Sequence, residues 1–380
     1  MLTSISSNIT DNITNIQSLY EIEYEQFLNI GIPSVIFLTV LSFVGIVGNV
    51  HTLLVYSMSP VMAKLTVRIF ILWLSATDLI ACVACIPFEI FDIRFDYTFS
   101  SGGVCKFFRF LNHVVTLSSG GLLTAIAIER YKISNRIQTQ QNRNPFVALN
   151  IASLVVVAIS IVISIPTFVF YGLYIKETSI SNLTGTDCAV LPEYYYMSTV
   201  GAYIGIVILL STAGCGICAV VYGEILFGIC IQMKKERKNR AKSSNHKMDI
   251  SSELTSKETQ QVSTSQLNDV PSISPSLEEN VPIPVKFHKR SPYEKGRQLT
   301  ISLIVATAVS YIGYIMFACT LLVQVANPTL LYKSSTRPVT EILFRAVFIN
   351  NAANPVVYCL LDNIFRTECV KLYKKTMCVK

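Results

Sequence analysis

The sequence VVTLSSGGLLTAIAIERY, residues 114–131, decides the fold of this chain. Its first part, Val114–Ile128, carries no charge and supplies most of a membrane crossing. It ends in the charged triplet Glu129-Arg130-Tyr131. Adjacent opposite charges on a helix point in different directions, so both cannot reach the same water, and membrane insertion alone does not require the arginine. The triplet therefore indicates a function at the inner end of a membrane helix.

The composition of the whole chain is typical of a membrane protein. Of its 380 residues, 51% are hydrophobic and only 14% are charged, whereas a soluble domain carries about 25% charged residues. A helix needs roughly 20 mostly apolar residues to cross a bilayer. Seven stretches approach or exceed that length: Pro33–Ser57, Val67–Phe91, Phe107–Tyr131, Phe146–Tyr171, Tyr196–Ile231, Leu299–Val325 and Val339–Leu361. The sequence therefore predicts an all-α membrane protein built as a seven-transmembrane-helix bundle.

The distribution of lysine and arginine predicts the orientation of these spans, because cytoplasmic connectors carry the excess of basic residues. Residues Met1–Pro33 contain no lysine or arginine, whereas basic residues cluster in the connectors of the opposite side and at the C-terminus. We therefore expect a plasma-membrane protein with an extracellular N-terminus, in contact with membrane lipids. The basic residues flank spans and form no single domain face, which argues against nucleic-acid binding.

The same pattern predicts the domain organisation. Residues 1–32 form an extracellular N-terminal tail, residues 33–233 contain spans one to five, and residues 298–361 contain spans six and seven. Residues 234–297 are rich in Ser, Thr, Gln, Asn and Pro and poor in aromatic residues, which predicts a disordered cytoplasmic loop. Residues 362–380 mix apolar and basic residues, which predicts a short C-terminal amphipathic helix and a cytoplasmic tail.

Covalent modification is predicted on both sides of the membrane. Cys105 and Cys188 are the two cysteines in outer segments, where oxidising surroundings allow a disulfide between them. Cys369 and Cys378 follow the last span, where reversible palmitoylation of cysteine recurs. Sequons in outer segments mark the candidate glycosylation sites Asn8, Asn12 and Asn182.

Polar side chains lie mid-way in several spans, where they are costly and mark function by default. Asp78 is the carboxylate of the second span. Neutral polar residues occur at similar depth in other spans: Asn49, Ser118, Ser119, Asn350, Asn351 and Asn354. A carboxylate with several neutral oxygens suits a small ion such as sodium, or a proton. Hydrogen bonds that fix helix packing are an equal alternative on the sequence alone.

The outer ends of the spans carry a mixed set of charged, amide and aromatic side chains, which suits a ligand cavity. The candidate ligand-binding residues are Glu89, Arg109, Asn112, His113, Thr116, Tyr311, Tyr314, Phe344 and Phe348. For His113 alone, an interfacial residue that reaches toward water is the competing interpretation. The mixed charges and the acidic N-terminal segment favour a peptide ligand.

Short motifs follow one another in a fixed order along these spans. They are Gly48-Asn49, Leu74-Ser75-Ala76-Thr77-Asp78, the pair Cys105 and Cys188, Glu129-Arg130-Tyr131, and Asn354-Pro355-Val356-Val357-Tyr358 with Phe365. Each string is weak evidence by itself. In this order, on seven spans of this orientation, they resemble the rhodopsin-like, or class A, family of G-protein-coupled receptors over Pro33–Cys369, except in the long loop.

The resemblance implies a switch at the inner face of the bundle. Arg130 is expected to pair with Glu129 at rest and to swing toward Tyr222 on activation, which opens a pocket for a helix of a heterotrimeric G protein. The implied switch residues are Glu129, Arg130, Tyr131, Tyr222, Asn354, Pro355 and Tyr358. The implied site of an allosteric sodium ion, with no other cofactor, is Asp78, Ser119, Asn350 and Asn354. Arrestin and receptor kinases are further expected partners.

Several positions depart from the pattern of that family. Gly214 stands where span five carries a proline, and in span six Tyr311 replaces a tryptophan and Gly313 a proline. We expect Gly313 to hinge span six with a less enforced kink than proline gives. Asn112 stands where amine receptors carry an aspartate, so the resemblance implies no amine salt bridge at that position.

The sequence therefore predicts a G-protein-coupled receptor that transduces binding of an extracellular ligand, foremost a neuropeptide, to a heterotrimeric G protein. The alternatives are a receptor for a non-peptide ligand, a weakly signalling orphan receptor, and a seven-span transporter with Asp78 as carrier. An enzyme is not expected, because no nucleophile–base pair or metal cluster occurs at a shared depth in the spans.

Overall fold

The computed structural model describes residues 2–135, 144–178, 180, 182–195, 198–262, 292–326 and 336–377. The chain divides into two compact units, Met1–Tyr222 with Gly296–Lys380, and Gly223–Lys295. The cavity and the side-chain clusters that bear on function belong to the first unit.

Helices make up most of the described residues. In chain order they are α1 Leu2–Gln26, α2 Ile32–Met58, α3 Arg68–Ile80, α4 Ile86–Arg94, α5 Gly102–Ser134, α6 Pro145–Ser164, α7 Thr167–Phe170, α8 Pro192–Tyr195, α9 Ser198–Val262, α10 Pro292–Ala326, α11 Arg337–Phe344, α12 Ile349–Leu361 and α13 Asn363–Met377. Wider π-helical turns at Phe27–Gly31 and Ala81–Cys85 join α1 to α2 and α3 to α4. Each of these turns precedes a proline, whose missing N–H a wider turn accommodates.

The membrane spans agree with the seven predicted stretches. Within the described residues, six segments are long and apolar enough to cross a membrane: Thr14–Met58, Arg68–Arg94, Gly102–Ser134, Pro145–Phe170, Thr199–Asn239 and Arg297–Val323. The seventh predicted span contains a shorter apolar helix, Ala346–Leu361, whose first three residues form a 3₁₀ turn between α11 and α12. The predicted all-α membrane fold is confirmed, with the seventh span interrupted toward its outer end.

The bundle is apolar on its outside and polar at its centre. Val162 and Leu209 expose 65% and 67% of their surface, whereas Asn49, Asp78 and Ser119 are fully buried. Hydrocarbon solvates exposed aliphatic side chains, while polar groups in a membrane must find their partners inside the protein. This distribution is therefore the one that a lipid environment requires.

A β-hairpin, which the all-α prediction did not include, follows the fourth span. Strands β1 Tyr171–Glu177 and β2 Thr184–Val190 pair in antiparallel orientation along their full length. The connection contains Asn182 with a φ of 69°, a left-handed conformation that asparagine tolerates better than most residues. The predicted disulfide between Cys105 and Cys188, with Cα atoms 5.5 Å apart, ties β2 to the start of α5.

Glu23 anchors the N-terminal helix α1 to the loop after α4. The buried carboxylate accepts hydrogen bonds from the backbone N–H groups of Tyr97 at 2.9 Å and Thr98 at 3.0 Å. Arg94 pairs with the same carboxylate at 3.5 Å. The predicted extracellular tail therefore contains a helix whose C-terminal part is fastened to the bundle.

The predicted cytoplasmic loop differs from expectation in its first part. We predicted disorder for residues 234–297, but α9 continues to Val262 and α10 begins at Pro292. No glycine or proline occurs between Gly228 and Val262, and this stretch is rich in Lys, Glu and Arg, which favour helix. A polar composition alone was therefore insufficient evidence for disorder there. Residues 263–291 lie outside the described part of the chain.

The short C-terminal helix α13 is capped and packed where it begins. Asp362 Oδ1 accepts hydrogen bonds from the backbone N–H groups of Ile364 at 2.8 Å and Phe365 at 3.2 Å. The ring of Phe365 packs between those of Tyr56 and Tyr358, with both pairs of centroids 6.1 Å apart. The structure thus contains the short helix that the sequence predicts after the last span.

Candidate functional site

A cavity of about 660 Å³ lies among the outer ends of the spans. The hairpin contributes Tyr171, Ala189 and Val190 to its wall. All nine candidate ligand-binding residues line it: Glu89, Arg109, Asn112, His113, Thr116, Tyr311, Tyr314, Phe344 and Phe348. A cavity of this size and mixed lining is typical of ligand sites. The structure therefore brings the predicted residues together, and ligand binding by them stays a prediction.

Arg109 of α5 is the electrostatic centre of the outer cavity. Its guanidinium donates to Glu89 at 2.8 Å and to Asp92 at 2.6 Å, both on α4. It also donates to the backbone oxygen of Cys188 in β2 at 3.1 Å. Charge-assisted hydrogen bonds of this kind replace the water that each group loses on burial. Arg109 therefore connects two helices and the hairpin.

A second guanidinium, that of Arg345, joins the seventh span to the same cluster. It pairs with Glu341 at 2.5 Å and with Glu89 at 3.5 Å. Asn112 Nδ2 donates to Glu89 at 3.2 Å. Our candidate set omitted Glu341, although its position one helical turn before Arg345 is a sequence signal for an ion pair. Glu89 is thus shared by spans two, three and seven.

His113 faces the cavity and is hydrogen bonded there. Its Nδ1 lies 3.2 Å from the hydroxyl of Tyr203 on α9. The ring of Tyr171 lies edge-on to the imidazole, with centroids 6.2 Å apart. This placement favours a role in the cavity wall over that of an interfacial residue reaching toward water.

Two tyrosines of α10 lie at the cavity floor. Tyr314 Oη donates to the backbone oxygen of Thr116 at 2.9 Å. Tyr311 Oη lies 3.2 Å from Thr124 Oγ1, also on α5. A ligand that reaches this depth therefore contacts side chains that connect span six to span three.

Gly313 lies inside a continuous helix, and its role as a hinge stays a prediction. Helix α10 runs without interruption from Pro292 to Ala326. A Cβ atom at Gly313 would lie 2.5 Å from the backbone oxygen of Ala346, closer than real contacts allow. Glycine at this position therefore permits a close approach between spans six and seven.

The mid-span polar residues converge on Asp78. Its carboxylate accepts hydrogen bonds from Ser119 Oγ at 2.8 Å, Asn351 Nδ2 at 2.9 Å and Asn354 Nδ2 at 2.8 Å. Asn350 makes no hydrogen bond to Asp78 within the described chain, and its place in a sodium site stays a prediction.

The oxygen atoms near Asp78 suit a small hard cation. Beside the carboxylate and the Ser119 hydroxyl, the buried amide oxygen of Asn354 has no hydrogen-bond partner among the described residues. One charged and several neutral oxygens match the ligands that such ions prefer. In the same part of the chain, no three His, Cys, Asp or Glu side chains gather to hold a metal ion. Sodium at this site stays a prediction.

Pro355 interrupts the backbone hydrogen bonds of α12, and the first span compensates. Proline lacks the N–H that would otherwise bond the oxygen of Asn351. That oxygen accepts a hydrogen bond from Asn49 Nδ2 at 2.8 Å. A Cβ atom at Gly48 would lie 2.5 Å from Pro355 Cγ, so only glycine admits the proline ring there. The Gly48-Asn49 motif therefore fits around Pro355.

Arg130 lies at the inner end of α5 with only 7% of its surface exposed. The predicted resting pair with Glu129 is absent, since no described carboxylate forms an ion pair with Arg130. Its Nε atom also lacks a hydrogen-bond partner in the described chain. Consecutive helical side chains point apart, which explains the missing pair. Tyr131 follows half-buried in the last turn of α5.

Tyrosines from three spans surround the inner end of the bundle. Tyr222 of α9 has its hydroxyl 3.3 Å from Thr307 Oγ1 on α10. Tyr56 and Tyr358 are fully buried, and their hydroxyls have no hydrogen-bond partner among the described residues. Tyr222 thus remains engaged with span six, and the switch role of these residues stays a prediction.

The family profile of the 7 transmembrane receptor (rhodopsin family) matches residues 48–358 of the chain. This protein belongs to that family. The family consists of receptors and not of enzymes, in agreement with the expectation from the sequence.

Three curated relatives of the receptor are named as receptors for neuropeptide Y, galanin and cholecystokinin. Neuropeptide Y receptor type 6 of Mus musculus is 31% identical over 136 residues, and Galanin receptor 2b of Danio rerio is 28% identical over 149 residues. These matches span only 36% and 39% of each chain. Cholecystokinin receptor type A of Cavia porcellus is 26% identical over 366 residues, which cover 90% of this receptor and 80% of that one.

The modification sites of the receptor stay predictions. Asn182 is exposed at the hairpin turn, and Asn8 and Asn12 lie in the part of α1 whose side chains are not described. Cys369 is half-buried in α13, where burial raises the pKa of its thiol to about 11. A thiol with so high a pKa reacts slowly at neutral pH. Cys378 lies outside the described residues.

Proposed function

We propose that this receptor couples binding of an extracellular peptide, of the neuropeptide kind, to activation of a heterotrimeric G protein. The observation that carries the proposal is the outer cavity of about 660 Å³, whose wall mixes guanidinium, carboxylate, amide and aromatic groups. A peptide presents partners for all of these groups along one chain. The names of the neuropeptide Y, galanin and cholecystokinin receptors among the relatives add support.

The charge of the cavity cluster favours a peptide that carries a positive group. Glu89, Asp92 and Glu341 supply three carboxylates, whereas two guanidiniums come from Arg109 and Arg345, which leaves one net negative charge. Both guanidiniums already pair with carboxylates of the cluster. A lysine or arginine side chain of the ligand would restore neutrality, and a ligand carboxylate would have to displace an existing pair.

The inner end of the bundle is the proposed docking site for the G protein. Arg130 is buried and forms no ion pair with a described residue, so a partner or a neighbouring span can still supply its hydrogen bonds. Movement of α10 away from Tyr222 would release the Thr307 contact and let the tyrosine hydroxyl approach Arg130. Arrestin and receptor kinases are further proposed partners at the cytoplasmic side, with the receptor in the plasma membrane and its N-terminus outside.

The test is a second-messenger assay in cells that express the full chain together with a promiscuous G protein. A library of peptides with and without basic residues is screened. We expect a dose-dependent response to a basic peptide, which Arg130→Ala abolishes at unchanged surface expression. Lys132→Ala, which removes an exposed positive charge in the same last turn of α5, serves as the matched control and should respond normally.

Two outcomes would contradict the proposal. If no peptide gives a response although the receptor reaches the cell surface, the proposal that its ligand is a peptide is wrong. If Arg130→Ala and Lys132→Ala respond like the unmodified receptor, the inner face around Arg130 does not couple to the G protein.

A further inference from the structure

The loop of residues 95–101, between α4 and α5, pairs with the outer part of the β-hairpin. The Thr186 N–H of β2 donates to the backbone oxygen of Tyr97 at 2.8 Å, and the Phe99 N–H donates to the oxygen of Thr186 at 3.0 Å. A Cβ atom at Gly185 would lie 2.5 Å from the same Tyr97 oxygen, closer than real contacts allow. The loop therefore lies beside β2 as a short third strand, at a distance that requires glycine at position 185.

Glu23 of α1 holds the same loop from the other side. Its Oε1 accepts hydrogen bonds from the backbone N–H groups of Tyr97 at 2.9 Å and Thr98 at 3.0 Å, and from the Thr98 hydroxyl at 2.9 Å. The Glu23 residue is only 1% exposed. A buried donor that loses its acceptor costs more than the bond itself contributes. Three donors of the loop therefore depend on a carboxylate that the N-terminal helix supplies.

Asp96 of the loop adds side-chain contacts in both directions. It accepts a hydrogen bond from Lys176 Nζ of β1 at 2.5 Å, and another from the amide of Gln26 on α1. The Tyr97 hydroxyl donates to Gln26 Oε1 at 3.2 Å. The loop is thus bonded to α1 on one side and to the hairpin on the other.

The hairpin has a separate support close to the cavity. The disulfide to Cys105 and the hydrogen bond from Arg109 both hold Cys188 of β2. The contact with the loop lies at Gly185 and Thr186, two and three residues farther toward the tip of the hairpin. One support at Cys188 lets the hairpin turn about that point, whereas two supports fix its direction. The hairpin residues whose position then depends on the loop line the cavity: Tyr171, Ala189 and Val190.

We propose that Glu23 is a positioning residue of the ligand site, which fixes the β-hairpin as one wall of the outer cavity by holding the loop of residues 95–101. Glu23 itself does not line that cavity, so it acts through the loop and β2. The N-terminal helix is then a part of the ligand site and not only a tail. This inference rests on the proposed function, because it takes the cavity to be the place where the ligand binds.

The first test measures the position of the hairpin without any ligand. Spin labels carried by non-natural amino acids at Ile175 of β1 and Val323 of α10, both exposed, report the distance across the mouth of the cavity in the full receptor. Glu23→Ala removes the acceptor of three donors, so we expect the population with a displaced hairpin to rise roughly tenfold. Glu23→Gln keeps an acceptor oxygen and should restore most of the original distribution. Glu25→Ala, which removes an exposed carboxylate of the same helix, is the matched control and should change nothing.

A variant on the hairpin side tests whether the loop carries the effect. Gly185→Ala places a methyl group against the Tyr97 oxygen, so it should push the loop away from β2 and displace the hairpin as Glu23→Ala does. In the Glu23→Ala background the loop is already released, so the same change should add much less than its single effect. Gly103→Ala introduces a methyl group with no described atom within 4 Å, and it should leave the distances unchanged.

The second test measures binding at the cavity. The probe is a fluorescent tetra-arginine peptide, which matches the net negative charge of the cavity cluster, and its binding is compared at equal amounts of folded receptor. We expect its affinity to fall roughly three- to tenfold in Glu23→Ala and Gly185→Ala, and to stay unchanged in Glu25→Ala and Gly103→Ala. A role of Glu23 in folding alone would lower expression and the unfolding temperature but leave this affinity unchanged.

The outcomes distinguish this inference from the function on which it rests. Unchanged distances in Glu23→Ala would overturn it, as would an equal change in Glu25→Ala or fully additive effects of Glu23→Ala and Gly185→Ala. Equal probe affinity in all variants would overturn it as well. If Glu23→Ala does not reach the cell surface, Gly185→Ala makes the same comparison from the other side of the loop. If the distances shift as expected but the probe binds no form of the receptor, Glu23 positions the hairpin and the proposed preference for a basic ligand fails.

Discussion

The buried arginines at the outer and inner ends of the bundle differ in their ion pairs. Arg109 and Arg345 at the outer cavity each pair with two carboxylates, and Glu89 belongs to both sets. Arg130 at the inner end is buried without an ion pair to any described residue. The same kind of side chain therefore forms ion pairs at one end of the bundle, whereas at the other end it forms none with a described residue.

This difference indicates what each end does. A buried ion pair with good geometry fastens the elements that supply its charges, and breaking it is costly. A buried cation that forms no ion pair remains available to a new partner. We infer that the outer cluster keeps the mouth of the cavity in shape, whereas the inner arginine is reserved for the signalling state.

The largest effect is expected when Arg109 is changed to alanine. Arg109→Ala leaves Glu89 and Asp92 without their shared partner, and loss of one member of a buried pair typically costs about 3–5 kcal/mol. We expect a clear fall in the thermal unfolding temperature of the solubilised receptor and in its surface expression. Arg130→Ala is the matched variant, because no ion pair is lost, and it should unfold near the normal temperature. Equal losses in the two variants would break the comparison between the two ends.

A smaller effect is expected for a single carboxylate at the cavity. Glu341→Gln removes one negative charge from the wall while keeping its size, and Arg345 retains its contact with Glu89. We expect the potency of an activating basic peptide to fall roughly tenfold, equivalent to about 1.4 kcal/mol. Dose–response curves at matched surface expression measure this. Glu193→Gln on α8, outside the cavity lining, is the control, and a similar loss there would point to long-range steering instead.

The smallest effect is expected for the pH dependence of stability that Asp187 of the β-hairpin causes. Burial, and next repulsion from Asp96, raises the pKa of Asp187 in β2 to about 6, while Lys176 at 4.0 Å from Asp187 opposes the shift. The folded pKa lies above the unfolded value, so the folded state binds the proton more tightly. Stability therefore rises as the pH falls through about 6, by about 1 kcal/mol between about pH 7.5 and about pH 5.5.

Thermal unfolding at those two pH values checks this prediction. Asp187→Asn mimics the protonated form, so it should be the more stable protein at the higher pH and should lose that advantage at the lower. A constant difference between the two proteins would show that Asp187 does not titrate in this range.

The sequence was sufficient to predict the fold and the residues that line the outer cavity. Both depend mainly on the depth of each residue in the membrane. Apolar length predicted the spans, whereas the orientation predicted from the basic residues stays a prediction. Residues at the outer ends of different spans, such as Glu89, His113 and Phe344, then had to meet around one cavity. The disulfide between Cys105 and Cys188 followed for the same reason, since no other cysteines lay in outer segments.

The sequence was insufficient where helical phase and local geometry decide. The sequence placed Asn350, Asn351 and Asn354 at one depth, but it did not show that Asn351 and Asn354 donate to Asp78, because that depends on the rotation of the helix near Pro355. The expected ion pair between Glu129 and Arg130 is absent, because consecutive side chains on a helix point in different directions. The role of Gly313 depends on how closely span seven approaches, which no single-helix pattern contains.

The contact between Gly48 and Pro355 has a mechanical consequence. Span one both accommodates the proline ring of span seven and, through Asn49, holds the backbone oxygen that proline leaves unbonded. Span two adds the carboxylate of Asp78, which accepts hydrogen bonds from two asparagines of span seven. We therefore expect spans one, two and seven to keep their mutual positions as one rigid unit if span six shifts.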